Sequence, residues 1–394
     1  MKLKAIKLTQ WGYGEGAGMT TLYITSMKAS DLIKRIKIDR WTKTNREGYQ
    51  RLPELSRIGS EKRKGSLIYY LMEEMGSFPT SILVNIRGEK GNINFKPEDK
   101  ITDHIVIGEL EIPDEEPFWL IDGQHRVEGL KHALRTPRLT EYMKRKKLPS
   151  LKEYPVIVSI LNLKSRLDEM LFFYIVNERQ RGVKADLAYK LLQKMAYQDK
   201  RLWVRKMLTK AEIRKAIATE IVDILDGDPR SPFYGKIKYW GEEDEGKLVK
   251  DFTLARYIAD ILKEKIFSAM PDRKIAELLM EYWKAIKEIY PNAFERKNDY
   301  LIFGATTGVA VFSKIFPAVY GMCRGAPSKD EFKRILSLLL NRTETEEIDS
   351  DFRGPLDEEF WHRAHAPAIL HATQEGTFNH IADQLIKKIR IQLK

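Results

Sequence analysis

The sequence contains a single cysteine, Cys323, among its 394 residues. One cysteine can form neither an intramolecular disulfide nor a cysteine-based metal site. Long hydrophobic runs are also missing, because none reaches the roughly 18 apolar residues that a membrane span needs. The chain shows no internal repeat and no low-complexity tract. These absences fit a cytoplasmic protein without membrane spans.

Basic residues outnumber acidic ones, with 68 Lys and Arg against 56 Asp and Glu and a formal net charge of +12. The excess is uneven, because residues 1–250 hold 47 basic and 35 acidic side chains, whereas residues 251–394 hold 21 of each. A basic domain attracts a polyanion, and nucleic acid is the commonest one. Solubility, or a thermophilic protein's preference for Lys and Glu, is the alternative explanation. The charge distribution therefore favours nucleic acid as a partner of the N-terminal part.

The hydrophobic pattern changes from mixed to mostly helical along the chain. The elements predicted before residue 198 are the strands Met19–Met27, Ser81–Ile86, Ile105–Ile112, Phe118–Ile121 and Pro155–Leu163, and the helices Ser66–Met75, Gln124–Leu134, Ser165–Asn177 and Asp186–Met195. The helices predicted after it are Lys200–Leu225, Thr253–Phe267, Arg273–Ile289, Tyr300–Phe316, Lys329–Leu340 and Phe378–Gln392. The sequence therefore predicts an α+β protein, with a mixed α/β domain over residues 1–198 and a mostly helical domain over residues 199–394.

Three polar stretches are predicted to be loops. Alternating glycines between residues 12 and 18 are typical of a flexible hairpin tip, since the Lys-Ser/Thr of a phosphate-binding loop is missing. Residues 88–103 are polar and rich in turn formers. Residues 135–150 form a basic excursion. It contains four consecutive basic residues: Lys144, Arg145, Lys146 and Lys147. They are predicted to contact a DNA backbone, with a solvated loop as the equal alternative.

The sharpest feature is Asp122-Gly123-Gln124-His125-Arg126, which lies between the buried strand and the helix that follows. Gly123 allows a tight turn and a close approach of backbone amides to a ligand, and Asp122 is predicted to cap the helix. The helix start offers unpaired N–H groups and a positive dipole end to an anion. Arg126 can fork two hydrogen bonds onto a phosphate, His125 can move a proton, and Gln124 can orient water. The turn is predicted to bind a nucleotide or phosphate, with a simple Asp122–Arg126 pair along the helix as the structural alternative.

These five residues resemble the signature of the DGQHR-domain family. That family includes DndB-like regulators associated with DNA phosphorothioation, and relatives encoded with other DNA-modification systems such as 7-deazaguanine insertion. The resemblance covers roughly residues 40–195. Its weaker flanking matches are Gly48-Tyr49-Gln50-Arg51, the helix over 66–75, the strand over 79–86, and residues 173–180 with Val183. The family is similar to the ParB/sulfiredoxin-like fold, so the resemblance implies that fold for the N-terminal domain.

The resemblance also implies a ligand, because the corresponding turn in that fold binds nucleotide phosphates. ATP or another NTP is the expected ligand, with Mg²⁺ if hydrolysis occurs. Related DGQQR proteins of DNA-modification-dependent defence hydrolyse nucleotides, and this chain has His125 at their second glutamine. The expected catalytic residues are Asp122, Gln124 and His125, and the expected phosphate-binding residues are Gly123 and Arg126. Asn177 and Gln180, three residues apart on one helical face, are expected to complete the site, with a polar helix end as the alternative.

The function expected from these features is that of a DNA-associated regulator or accessory factor of a DNA-modification system that binds a nucleotide. If it is an enzyme, it is expected to be an NTPase. The partners are DNA, nucleotide and other proteins of the modification cluster, and homo-oligomer formation stays open. Two alternatives remain: a ParB-like nickase or nuclease, and a non-enzymatic DNA-binding repressor. No metal site is assigned, because His362, His365 and His371 do not follow the H-E-x-x-H pattern.

Overall fold

The computed structural model describes residues 1–11, 18–42, 45, 47–50, 67–73, 77–87, 93–181, 185–198, 208–239 and 242–393. The chain divides into two compact units, Met1–Met207 and Leu208–Lys394. The first unit contains a mixed β-sheet with helices, and the second is mostly helical. The predicted α+β class is therefore confirmed.

A mixed sheet organises the first unit. Its strands are β1 (Lys2–Trp11), β2 (Met19–Lys28), β3 (Ile36–Lys37), β4 (Ile82–Asn85), β5 (Asn94–Thr102), β6 (Ile105–Glu111), β7 (Phe118–Asp122) and β8 (Pro155–Leu161). They form one eight-stranded sheet in the order β3-β7-β4-β8-β2-β1-β6-β5. The β3–β7 and β4–β8 pairs are parallel, and the other pairs are antiparallel. The strand β7, which leads into the Asp122–Arg126 turn, thus lies between β3 and β4.

Helices accompany this sheet, and their apolar faces supply part of its core. The described helices of the unit are α1 (Ala29–Arg35), α2 (Leu67–Glu73), α3 (Gln124–Ala133), α4 (Pro137–Arg145), α5 (Arg166–Arg181) and α6 (Ala185–Tyr197). Val127 and Leu130 of α3 are fully buried in one core cluster with Val84 of β4 and Leu120 of β7. Full burial of such a side chain stabilises the fold by about 1.5–3 kcal/mol. This packing fixes α3, and with it the turn at its N-terminus, against the sheet.

Most predicted elements of the first unit are confirmed, and the exceptions are the strands β1 and β5 and the helix α4. β1 was not predicted, because three lysines interrupt its alternation. β5 replaces part of the turn-rich stretch 88–103. It is an edge strand with mostly exposed side chains, Pro97 and two register shifts against β6, so its sequence lacks an apolar pattern. The basic excursion 135–150 contains helix α4, which begins with Pro137 in its first turn.

The hairpin predicted around the alternating glycines is confirmed by its two strands. β1 and β2 pair antiparallel, and Trp11 lies opposite Met19. Residues 12–17 lie outside the described part of the chain.

The second unit is built from helices around an aromatic core. Its described helices are α7 (Lys210–Gly227), α8 (Asp251–Ile261), α9 (Lys265–Ser268), α10 (Asp272–Ile289), α11 (Pro291–Glu295), α12 (Thr306–Gly321), α13 (Lys329–Leu336), α14 (Glu358–Trp361) and α15 (Glu375–Leu393). Two-residue strands β9 (Ile237–Lys238) and β10 (Val249–Lys250) pair in parallel. The rings of Trp283 and Trp361 both lie against Phe312. None of the described helices is long and apolar enough to cross a membrane.

The observed helices of this unit depart most from the predicted bounds in three places. α7 begins at Lys210, where Thr209 forms a capping box with Glu212. α12 begins at Thr306 rather than at residue 300, and it continues past residue 316 with Pro317 inside it. The segment predicted as one helix over 253–267 forms α8 and the short α9, separated by a turn.

Candidate functional site

The turn after β7 is shaped by Gly123. This residue has φ 100° and ψ 19°, a left-handed conformation that side chains with a Cβ rarely adopt. A Cβ added there would lie 3.2 Å from Cγ1 of Ile82. Gly123 is also the N-cap residue of α3, and its carbonyl oxygen accepts the first helical hydrogen bond from Val127 N–H at 2.9 Å. The turn therefore depends on a glycine at this position.

Asp122 does not cap the helix, so that prediction is wrong. The residue still belongs to β7, where it pairs with Leu83 of β4. Its Oδ2 accepts a hydrogen bond from Nη2 of Arg126 at 3.1 Å, and the N-cap position of α3 is taken by Gly123. The first turn of α3 contains no acidic residue. The residue at the N-cap position, Gly123, has no side chain that could cap the helix.

The guanidinium of Arg126 fastens the turn to the segment before β4. Its Nη1 donates to Oγ1 and to the carbonyl oxygen of Thr80, both at 2.6 Å, and to the carbonyl oxygen of Ser81 at 3.0 Å. The side chain is 19% exposed. The Asp122–Arg126 pair, considered from the sequence only as a structural alternative, is thus present. Nη1 can bind a phosphate only by exchanging these three contacts.

Gln124 and His125 occupy the first two positions of α3. Gln124 is half-buried, and His125 is exposed. Their position places both side chains beside the amides of the helix start. An anion at that point would meet backbone N–H groups, the positive end of the helix dipole and two polar side chains.

Asn177 lies on α5, and its side chain turns back onto its own helix. Its Nδ2 donates to the carbonyl oxygen of Phe173 at 2.8 Å. The side chain of Gln180 lies outside the described part of the chain, as do Arg51 and Val183. The hydrogen bond of Asn177 described here does not reach the Asp122–Arg126 turn.

The predicted DNA-contacting residues are all exposed at the end of α4. Lys144 and Arg145 lie in its last turn, and Lys146 and Lys147 follow directly. Lys147 adopts a positive φ of 54°. Cations at a helix C-terminus also stabilise the helix through its dipole, so this position suits both a structural and a DNA-binding role. Residues 1–207 hold 39 Lys and Arg against 26 Asp and Glu, whereas residues 208–394 hold 29 against 30.

A buried carboxylate that the sequence analysis missed lies at the end of the β3 segment. Asp39 is 3% exposed and accepts hydrogen bonds from Arg87 Nη2 at 2.7 Å, Arg166 Nε at 2.6 Å and Asn45 Nδ2 at 3.0 Å. Burial raises the pKa of Asp39, but the hydrogen bonds from Arg166, Arg87 and Asn45 outweigh it and hold the pKa below its usual value. Asp39 therefore stays ionised at neutral pH.

A second buried carboxylate, Glu169 of α5, lies beside the first. It accepts hydrogen bonds from Arg87 Nε at 2.8 Å, Asn85 Nδ2 at 2.6 Å and the Tyr49 hydroxyl at 3.0 Å. Arg87 thus bridges the two carboxylates, and its guanidinium lies 3.6 Å from the ring centroid of Trp119 on β7. We call Asp39, Arg87, Arg166 and Glu169 the ion cluster.

The ion cluster could not be found from spacing, because its members are dispersed between residues 39 and 169. Only the neighbouring segment 48–51 gave a signal, through its resemblance to the DGQHR-domain family. Gln50 of that segment is fully buried and donates to the carbonyl oxygen of Leu120 on β7. Gly48 packs against the backbone of Arg40, where a Cβ would lie 2.0 Å from the carbonyl oxygen. The segment therefore ties the ion cluster to the strand that ends at Asp122.

The described residues contain no group of three or more His, Cys, Asp or Glu side chains that is arranged to hold a metal ion.

Comparison with known proteins supports the family resemblance. Residues 14–162 match the family model of DndB, whose description is DNA-sulfur modification-associated. No curated protein and no solved structure gives a significant match. The matched segment includes Asp122–Arg126, Asp39 and Arg87, and it ends before Arg166. The DndB-like resemblance is thus confirmed, whereas the ParB/sulfiredoxin-like fold stays a prediction.

Proposed function

We propose, from the premise that residues 14–162 match a DNA-sulfur modification-associated family, that this chain is a DNA-associated regulator or accessory factor of such a system. We further propose that the Asp122–Arg126 turn binds the phosphates of ATP or another NTP. The family's description favours DNA-sulfur modification over 7-deazaguanine insertion.

The observation that carries this proposal is the start of α3 on a left-handed glycine. Gly123 is the N-cap residue of α3, and it places no side chain beside the amides of Gln124 and His125. A phosphate oxygen at this point would lie at the positive end of the helix dipole and could accept hydrogen bonds from backbone amides. This arrangement changes the role expected for Arg126. Its guanidinium holds the turn in place through Thr80, and the backbone amides bind the phosphate.

Hydrolysis would need a group that positions water, and a cation if the nucleotide carries Mg²⁺. Gln124 and His125 are the side chains next to the proposed phosphate, so they would orient the water. Asp122 is 38% exposed and uses Oδ2 for Arg126, which leaves Oδ1 for a Mg²⁺ ion or its water shell. NTPase activity at this turn is therefore part of the proposal.

Nucleotide binding by the full-length chain tests this site. Calorimetry with ATP, with and without Mg²⁺, would be combined with a phosphate-release assay. His125→Ala and Gln124→Ala are each expected to weaken binding by about tenfold or more or to abolish release, since charge-assisted hydrogen bonds contribute about 1.5–3 kcal/mol. His132→Ala is the matched control, because His132 is an exposed histidine two turns further along α3.

Gly123→Ala separates the backbone from the side chains. A Cβ at φ 100° strains the turn, so binding is expected to fall even though no polar group is removed. If the wild-type chain binds no nucleotide, or if His125→Ala, Gln124→Ala and Gly123→Ala all bind ATP as the control does, the turn has only a structural role.

A non-enzymatic DNA-binding repressor is the second candidate function. The exposed basic run Lys144–Lys147 and the basic excess of residues 1–207 favour it. It predicts DNA binding that does not change when ATP is added. The nickase alternative gains no support, because Asp122 pairs with Arg126 while Glu128 pairs with Lys131 at 2.9 Å.

A further inference from the structure

A cationic pocket opens beside the ion cluster, away from the Asp122–Arg126 turn. Its volume is about 470 Å³. Five basic side chains line it, together with Trp119: Lys37, Arg40, Arg87, Lys131 and Arg166. Asp39 is the acidic residue among the described residues that line it. We call this cavity the basic pocket.

The basic pocket and the turn are separate places on the first unit. Its lining includes no residue between Asp122 and Arg126. Trp119 lies three residues before Asp122 on β7, or about 10 Å along the strand. A ligand in the basic pocket would therefore not occupy the turn.

Positive charge in the basic pocket exceeds what the nearby carboxylates neutralise. Five basic side chains line the basic pocket together with Asp39. Two further carboxylates, which are not part of the lining, contact some of these basic side chains. Glu169 contacts Arg87 at 2.5 Å, while Glu128 contacts Lys131 at 2.9 Å and lies 3.8 Å from Arg40. Two positive charges remain uncompensated among these residues. Such an excess in a concave site attracts an anion of two or more charges.

The two guanidiniums in the basic pocket are already held in place. Arg166 uses Nε and Nη2 for Asp39 and Asn45, and Arg87 uses Nε and Nη2 for the ion cluster. In the described part of the chain, Nη1 of neither arginine has a hydrogen-bond acceptor. Each Nη1 carries two N–H donors. Because the side chains are fixed by the ion cluster, a ligand would bind without the cost of ordering them.

We propose that the basic pocket binds a phosphate group through the Nη1 donors of Arg87 and Arg166, with Lys37, Arg40 and Lys131 supplying further charge. Arginine's planar fork suits a tetrahedral oxyanion, and a phosphate carries the charge that the basic pocket lacks. Arg87 covers one face of the Trp119 ring, so a base cannot stack on that face. The group that we propose to be recognised is therefore the phosphate rather than a base. The phosphate can come from a DNA backbone or from a free phosphate compound.

Neutralising the exposed cations tests the proposal without disturbing the ion cluster. The pocket variant is Lys37→Gln with Arg40→Gln. The control variant is Lys34→Gln with Lys152→Gln, which removes the same charge at exposed positions outside the pocket. Both are prepared as the full chain, and circular dichroism melting confirms that each folds like the wild type.

Two arms of the experiment distinguish the source of the phosphate. Anisotropy with a labelled short duplex DNA, measured over a salt series, reports backbone binding. Calorimetry with inorganic phosphate and pyrophosphate reports free anions. If DNA is the source, the pocket variant binds DNA roughly tenfold more weakly than the control, and the slope of log K against log salt falls by about two. If a free phosphate compound is the source, only the calorimetric affinity falls.

The proposal is overturned if the pocket variant equals the control variant in both arms, or if the wild type binds neither DNA nor phosphate. This result is independent of the proposed nucleotide site. A wild type that binds no ATP, together with a pocket variant that loses DNA or phosphate binding, would reject the turn and keep the basic pocket. Binding of ATP that depends on His125, together with an unaffected pocket variant, would reject only the basic pocket.

Discussion

The hydroxyl of Tyr49 donates a hydrogen bond to Oε2 of Glu169, 120 residues further along the chain, at 3.0 Å. Both side chains are buried, with exposures of 1% and 0%. Burial and the nearby Glu169 carboxylate raise the pKa of Tyr49 well above its usual value. The phenol therefore keeps its proton and remains a donor to Glu169. This contact joins helix α5 to the segment whose Gln50 side chain donates to β7.

Tyr49→Phe is expected to lower the free energy of unfolding by about 1–3 kcal/mol, because it leaves a buried carboxylate without one of its donors. The measurement is urea denaturation of the full chain. Tyr70→Phe is the matched control, since its hydroxyl donates to the carbonyl oxygen of Ser77 at an exposed position. Equal losses in the two variants would contradict a special role for the Glu169 contact.

Asp39 predicts how the stability of the first unit depends on acid. The pKa of Asp39 is lowered in the folded chain, so its contribution to stability is present above its ordinary pKa of about 3.8. That contribution is lost as the pH falls below about 4 and through the lower folded value. Asp39→Asn should cost about 1.5–3 kcal/mol at pH 7, because it removes the buried charge that accepts hydrogen bonds from two partly exposed guanidiniums.

Urea denaturation between pH 7 and pH 3 measures this effect. Stability of the wild type should fall more steeply than that of Asp39→Asn, so that the two curves converge at low pH. Asp103→Asn, at a position 79% exposed, serves as the control and should follow the wild type. Parallel curves for the wild type and Asp39→Asn would show that this carboxylate does not carry the acid dependence.

Continuous apolar runs were the part of the fold that sequence could predict. The apolar runs Phe118–Ile121 and Pro155–Leu163 contain the strands β7 and β8, and each of these strands pairs with neighbours on both sides in the sheet. β5 escaped prediction because an edge strand can carry exposed charged residues and a proline without losing its ladder. Whether such a segment forms a strand depends on the neighbouring strand with which it pairs. The local sequence does not identify that neighbour.

The candidate site could likewise be predicted only in part from the sequence. The five-residue turn, its glycine and its place between strand and helix follow from local sequence, and the structure confirms the placement of the turn between β7 and α3. The contact between Arg126 and Thr80 does not follow from the local sequence, because Thr80 lies 46 residues away. The ion cluster was missed for the same reason, since Arg166 meets Asp39 across 127 residues.

The basic run after α4 predicts the salt dependence of DNA binding. Lys146→Gln with Lys147→Gln should reduce the slope of log K against log salt by about two if both side chains meet phosphates. Anisotropy with duplex DNA at several salt concentrations measures the slope. Lys263→Gln with Lys274→Gln is the control, because both lysines are exposed in the second unit. An unchanged slope would mean that these lysines contact only solvent and stabilise the C-terminal end of α4.

Lys388 of α15 is a fully buried lysine whose ammonium faces backbone oxygens. Its Nζ donates to the carbonyl oxygen of Phe352 at 2.9 Å, to that of Arg353 at 3.4 Å, and to that of Gly354. No carboxylate among the described residues forms an ion pair with it. Burial lowers the pKa of Lys388 to about 8.

The lowered pKa of Lys388 determines the direction in which the free energy of unfolding changes with pH at alkaline pH. Between about pH 8 and pH 10.5 the unfolded chain keeps the proton that the folded chain has released, so stability rises with pH in that window. Lys388→Met keeps much of the apolar stem but cannot titrate. The wild type should therefore gain stability relative to Lys388→Met as the pH rises from 8, by at most about 1.4 kcal/mol for each pH unit.

Urea denaturation at several pH values measures the difference. Lys387→Met, at the exposed neighbouring position, should show no such gain. A wild type and a Lys388→Met variant whose stabilities change in parallel over this range would mean that Lys388 stays protonated, held by its three carbonyl acceptors.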